Sequence, residues 1–310
     1  MTEKYSKDNM STQSSPLAHP YLLLTLTALL WGGNAIAGKL AVGHVSPFLL
    51  TSLRWVIACV VLLPFALPHL KADEKAIKKH FWFLSTLGVL GFTVFNNLLY
   101  LALTHTTAIN VAIEQASMPL IVFALNYLLF RTQVTAFQVI GFVITMLGVA
   151  FTVIRGDLFN LGNQSLNAGD LLMVFAIMVY GIYSVLLKNK PEMHLLSFMF
   201  VLAFSALIVS IPFTLYELAT GNLIAPDTQG WGVVIYAAIF PAVLAQLFWV
   251  MGLEKIGSNR GGLFINLVPI FGALLAILIL GEQFELYHAI GLALVLGGIA
   301  LAQKTKSTGS

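Results

Sequence analysis

The chain has 310 residues, of which 58% are hydrophobic and 9% charged, with a formal net charge of +3. A soluble domain carries about a quarter charged residues, so this composition excludes a water-soluble globule and places the chain in a bilayer. The small charge gives no basic face for nucleic acid, and the one cysteine, Cys59 inside an apolar run, excludes an internal disulfide or zinc framework.

Residues 1–19 are polar and rich in Ser and Thr, too hydrophilic for the apolar core of a signal peptide, and are expected to be a disordered tail. Ten apolar segments follow, at 20–38, 47–67, 81–103, 108–130, 135–154, 168–187, 194–216, 231–252, 259–280 and 286–303. Each is near the ~20 residues that a helix needs to cross hydrocarbon. The expected fold class is therefore an all-α integral membrane protein. A short polar tail at 305–310 closes the chain.

The chain is written twice. Shifted by 150 positions, 110–154 falls on 260–304: Pro119 meets Pro269, Gln133 meets Gln283, Gly141 meets Gly291 and Gly148 meets Gly298. At an offset of 149, Trp31 meets Tyr180, Gly32 meets Gly181, Asn34 meets Tyr183, Asn97 meets Gln246 and Tyr100 meets Trp249. Two five-helix repeats, 20–155 and 168–304, follow from this register.

Lys and Arg in the connections orient the chain. With a cytoplasmic amino terminus, the inner side receives Lys4, Lys7, Lys71, Lys75, Lys78, Lys79, Arg131, Lys188, Lys190, Lys255, Arg260, Lys304 and Lys306. The outer side receives Lys39 and Arg155, thirteen against two. Both termini are then cytoplasmic, in the cell membrane. Five spans per repeat is odd, so the second copy crosses in the opposite sense. Inverted repeats of this kind place a transporter's substrate near the midplane, between the halves.

The run WGGNAIAGKLA from Trp31 to Ala41, then Ser46-Pro47 and Leu53-Arg54-Trp55, resembles the opening of EamA-type members of the drug/metabolite transporter superfamily. The Pro269 helix leading into Leu280-Gly281-Glu282 and Ile290-Gly291 resembles the same family's repeat ending. The resemblance covers the chain from about residue 20. It implies a ten-helix transporter, commonly an exporter of amino acids or related solutes, with a cavity lined by the first, third and fourth helices of each half. It also implies an arginine at position 54, in a helix peripheral to that cavity. Arg131-Thr132 departs from the Gly-Glu pattern that the second copy keeps.

Polar residues inside spans are costly and so carry most of the functional information. Glu114, five residues before Pro119 and beside Gln115, is the outstanding case: it fits attraction of a substrate amine or proton coupling, or equally a hydrated carboxylate near the outer mouth. Its repeat partner is Phe264, so the repeat does not require a charge there. Arg54 fits a snorkelling or structural role, with a pairing to Glu114 or a carboxylate as the alternative.

Asn96, Asn97 and Tyr100, at i, i+1 and i+4, are expected on one helix face, with Gln246 and Trp249 repeating the last two positions. Interhelical hydrogen bonding is the competing role for these amides. Trp31, Asn34, Tyr180 and Tyr183 are candidates for an amphipathic cavity wall, with Asn266 and Asn126 following. Pro119 and Pro269 are expected hinges, because each removes a mid-helix hydrogen bond. Gly141, Gly148, Gly291 and Gly298 fit close helix packing, within the chain or in a weak homodimer. Glu282 and Glu285 read as surface charges.

No nucleophile–base arrangement, metal-ligand spacing or phosphate-cradling loop is present, so an enzyme, a metal and a cofactor are not expected. The expected partners are a small-molecule substrate, the lipid bilayer and, through Glu114, protons. The expected function is export of small amphipathic metabolites, amino acids first, by alternating access. Uptake of a vitamin or nucleoside-like solute, and efflux of cationic drugs, are the alternatives.

Overall fold

The computed structural model describes residues 19–131, 134–157 and 167–303. The two expected tails, apart from residue 19, and Thr132 and Gln133 of the repeat register lie outside the described residues. Among the described residues there is no strand. The chain forms α1 (Pro20–Leu40), α2 (Pro47–Ala72), α3 (Phe81–Leu103), α4 (Ala108–Phe130), α5 (Ala136–Val153), α6 (Ala168–Asn189), α7 (Leu195–Ala219), α8 (Thr228–Ile256), α9 (Gly262–Leu280) and α10 (Leu286–Ala302). The first nine are long and apolar enough to span a bilayer. The 17 residues of α10 rise about 26 Å, near the lower limit for a span.

Side chains that cross between helices show which ends lie together. Lys39, ending α1, donates to Leu103 O and Thr106 O beyond α3. Glu217, ending α7, accepts from the backbone N–H groups of Phe48 and Leu49 at the start of α2. Glu282, just past α9, accepts from those of Ala108 and Ile109 at the start of α4. Each carboxylate satisfies N–H groups that a helix start leaves without intrahelical partners. Odd helices therefore end, and even helices begin, at what we call the Lys39 end. Since α1 arrives there and α6 departs from it, the two five-helix repeats are inverted.

The halves interlock helix by helix. α1 packs on α8 and α9, and its counterpart α6 packs on α3 and α4; α2 packs on α7, and α5 on α10. The glycines of the repeat make the last contact possible. A Cβ on Gly141 would run into Gly298 O, and one on Gly148 would lie 2.9 Å from Gly291 O. These glycines serve a seam inside the chain.

Regular helix fails at matching places in the two halves. α3 carries a π-helical stretch at Val89–Val94 and α8 one at Phe240–Leu244. α4 is interrupted between Gln115 and Met118, and α9 changes from 3-10 to α geometry between Asn266 and Leu267. Pro119 sits in the first turn after the α4 break, where its missing N–H costs little. These four irregularities surround the same central space.

Candidate functional site: an amphipathic cavity with a buried arginine

A cavity of about 110 Å³ lies between the halves. That is several times the roughly 10–15 Å³ minimum for one water, the scale of a small solute. α1 supplies Trp31 and Asn34, α2 Arg54 and Trp55, α3 Phe92, Phe95 and Asn96, α4 Gln115 and Pro119, α6 Tyr180, α8 Gln246, and α9 Asn266 and Pro269.

The sharpest chemistry is at Arg54. Its guanidinium is buried, at 5% exposure, with Nη1 donating to Asn96 Oδ1 (2.6 Å), Tyr100 OH (2.6 Å) and Asn34 Oδ1 (3.2 Å). Tyr100 OH in turn donates to Asn34 Oδ1 at 2.9 Å, and Asn96 Nδ2 to Phe92 O at 2.7 Å, so each acceptor is oriented by a further bond. All three partners are neutral, and among the described residues no carboxylate forms an ion pair with Arg54. Nε has no partner. The cation lies 5.0 Å from the Trp55 ring centroid, and Trp55 stacks on Phe92 at 4.6 Å. A charge inside a span is costly, and here the hydrogen bonds and the cation–π contact offset that cost without an anion. The position of Arg54 on the cavity wall corrects the expectation of a peripheral, snorkelling arginine, while its bonds to α1 and α3 fit the structural role also expected.

Much of the remaining lining is aromatic. Phe95 and Tyr180 are 4.9 Å apart, and Tyr183 stands behind Tyr180 at 5.3 Å, off the cavity wall. Trp249 is likewise set back, packed on the lining Trp31 at 5.4 Å. Asn266 Oδ1 is buried without a partner.

Several expected residues are placed elsewhere. Asn96 and Tyr100 share a face and both reach Arg54, Asn96 on the wall and Tyr100 behind it. Asn97 is buried with neither side-chain atom partnered and does not border the cavity. One residue along a helix is about 100° of rotation, which turns Asn97 away from the face that Asn96 and Tyr100 share, so it does not join its repeat partner Gln246 on the lining. The same rotation separates Gln115, on the wall, from Glu114, which lies off it. Glu114 has no exposed surface and neither carboxylate oxygen has a hydrogen-bond partner. It does not pair with Arg54. Asn126 accepts from Lys188 Nζ at 2.6 Å, far along α4 from the cavity residues.

Trp55, Phe92, Phe95, Asp170 and His288 escaped the sequence reading. For the aromatics no signal distinguishes a cavity wall from lipid-facing surface. For Asp170 the signal was present: an acidic residue at the start of an apolar span. Glu282 caps α4, which corrects its reading as a surface charge. At the same end Lys39 ties α1 to the end of α3, so each of the two charges binds helix ends through backbone groups.

The model of the EamA-like transporter family matches residues 19–154 and 167–303, one match per half. A Bacillus subtilis protein named as the uncharacterized transporter YetK is 27% identical over 90% of this chain and 85% of its own length. An Archaeoglobus fulgidus protein also named as an uncharacterized transporter is 27% identical over 91% of this chain and 96% of its own. A solved crystal structure superposes with a TM-score of 0.61 at 22% identity, covering 91% of this chain and 96% of that one, which is a likeness of fold.

Proposed function

The chain belongs to the EamA-like transporter family, and from that premise we propose that it exports small carboxylate-bearing amphipathic metabolites, amino acids first, across the cell membrane. The observation that carries the substrate class is the buried Arg54 cation on the cavity wall, held by neutral partners and lacking an anion among the described residues. A carboxylate arriving there gains charge-assisted hydrogen bonds from a donor already desolvated and oriented. The aromatic wall of Trp31, Phe95 and Tyr180 suits the apolar part of the solute. The amides of Gln115, Gln246 and Asn266 offer acceptors for an ammonium group. A cationic drug would meet Arg54 as a like charge, which disfavours that alternative.

The Lys and Arg bias puts the Lys39 end outside and both termini in the cytoplasm. Transport proceeds by rocking of the inverted halves, with the interrupted α4 at Pro119 and α9 at Pro269 as hinges. Release outward requires the helix ends tied by Lys39 and by Glu282 to part. The direction follows from the resemblance to exporters, and Glu114 is the group on which proton coupling would act. No chemical transformation of the solute is assigned.

The test is a comparison of metabolites in medium and cytoplasm with and without overexpression. Amino acids or other carboxylates accumulating in the medium support the proposal. Accumulation inside the cell, or movement of uncharged nucleoside-like solutes alone, refutes it.

A further inference from the structure

We propose that Glu114 and Asp170 form a shared proton-binding site, separate from the substrate cavity and adjoining it through the break in α4. This rests on reading the chain as a transporter whose Lys39 end faces outward. Both carboxylates have no exposed surface. Glu114 Oε1, Glu114 Oε2 and Asp170 Oδ2 have no hydrogen-bond partner, and Asp170 is bonded to Asn110, one helical turn before Glu114 on α4.

Asp170 is held from behind by an ordered chain. The Glu285 N–H donates to His288 Nδ1 at 2.9 Å, which leaves Nε2 as the protonated nitrogen of the neutral ring, facing Asn110 Oδ1 at 3.0 Å. Asn110 Nδ2 then points to Asp170 Oδ1 at 3.4 Å, and the Thr106 hydroxyl donates to the same oxygen. Oδ1 is thereby committed, and Oδ2 is left for the proton or for Glu114.

The other charged and titratable groups around the pair are otherwise engaged. Lys39 of α1 is bound to backbone carbonyls, Tyr100 of α3 to Arg54, and Glu282 beyond α9 to the α4 start. From α10, Glu285 and Tyr287 flank His288. Arg155, beyond α5, is near enough to act on Asp170 and His288, but among the described residues it makes no ion pair with either carboxylate.

Two buried carboxylates on one packed interface without a paired cation do not both stay ionised; sharing a proton is the low-energy state. Losing that proton takes the pair from one negative charge to two, and the added charge must be hydrated or paired. The strain falls on the interface of α4 and α6, one residue from Gln115 on the cavity wall and directly before the interruption at Ala116–Ser117. Proton binding and cavity shape are coupled by that adjacency.

The experiment is an infrared titration of the full chain in lipid vesicles, with no substrate present. The wild type is expected to keep a protonated-carboxyl C=O band at about pH 7, where ordinary Asp and Glu, with values of about 3.9 and 4.3, are ionised. Glu114→Gln and Asp170→Asn are each expected to shift or remove it, and the double variant to abolish it. A wild type with no such band at neutral pH overturns the proposal, as does a band that survives both single variants. A band abolished by sodium at constant pH makes the occupant a metal cation and overturns it too. The wild-type arms need no variant to fold. Because no solute is involved, the outcome is independent of which metabolite appears in the medium.

Discussion

Replacing Arg54 with Gln isolates the substrate-class proposal. The change removes a cation that makes three hydrogen bonds, at 2.6, 2.6 and 3.2 Å, to Asn96, Tyr100 and Asn34. Tyr100 keeps its bond to Asn34, and the Gln amide can serve one of the vacated acceptors. About one buried acceptor is left unpaired, for a stability loss of roughly 1–3 kcal/mol, which folded protein in detergent should tolerate. The effect on transport is larger in kind. A hydrogen bond from a charged donor contributes roughly 1.5–3 kcal/mol, so losing the carboxylate's contact lowers affinity by about 10- to 150-fold. Arg54→Lys keeps the charge but replaces the planar fork with a point charge, so it falls between wild type and Gln. The assay is initial export rate against intracellular solute concentration, normalised to folded protein by size-exclusion chromatography. Unchanged apparent affinity for a carboxylate solute in Arg54→Gln refutes the assignment.

Three further outcomes follow from the fold. Arg131 occupies the left-handed region, at φ 51, where the second repeat places Gly281 at φ 66. Arg131→Gly should therefore relieve roughly 1 kcal/mol of backbone strain and raise the thermal unfolding temperature, which a decrease would contradict. Gly141→Leu puts a side chain into Gly298 O and Ala302 across the α5–α10 seam. It should cost at least about 1–3 kcal/mol and sharply reduce the yield of monodisperse protein.

In the loop before α8, Asp227 is held below its ordinary value of 3.8, first by the Gly230 N–H and then by the His44 side chain. A depressed folded value means that this cap stabilises the helix start above about pH 4 and is lost as pH falls through the lower, folded value. Protection of the Gly230 and Trp231 amides, taken relative to the intrinsic exchange rate at each pH, should fall on acidification in the wild type. In Asp227→Ala the protection should be low at every pH, and equal protection in both proteins would contradict the capping role.

The spans, their number and their inversion were legible because they rest on quantities that a linear chain displays directly. Apolar run length is set by hydrocarbon thickness, and an odd number of spans per copy forces opposite crossing senses. The α4 break was half legible: Pro119 marked the place, but an interruption just before it, rather than a bend within a continuous helix, depended on packing. Glu114 announced itself by being ionisable in an apolar run. Its partner did not, because Asp170 is 56 positions away in the other repeat and reads as an ordinary helix-start acid.

What the sequence by itself determined, then, is the lipid-embedded architecture, since hydropathy, charge bias and repeat register are one-dimensional signals of a one-dimensional constraint. Tertiary structure decided the chemistry of the interior. Neighbouring residues on a helix differ by about 100° in direction, so only packing puts Asn96 and Gln115 on the cavity and turns Asn97 and Glu114 from it. Only packing, too, brings Asn34, Asn96 and Tyr100 from two helices onto the Arg54 cation of a third, turning a residue that composition marks as costly into the charged centre of the cavity wall.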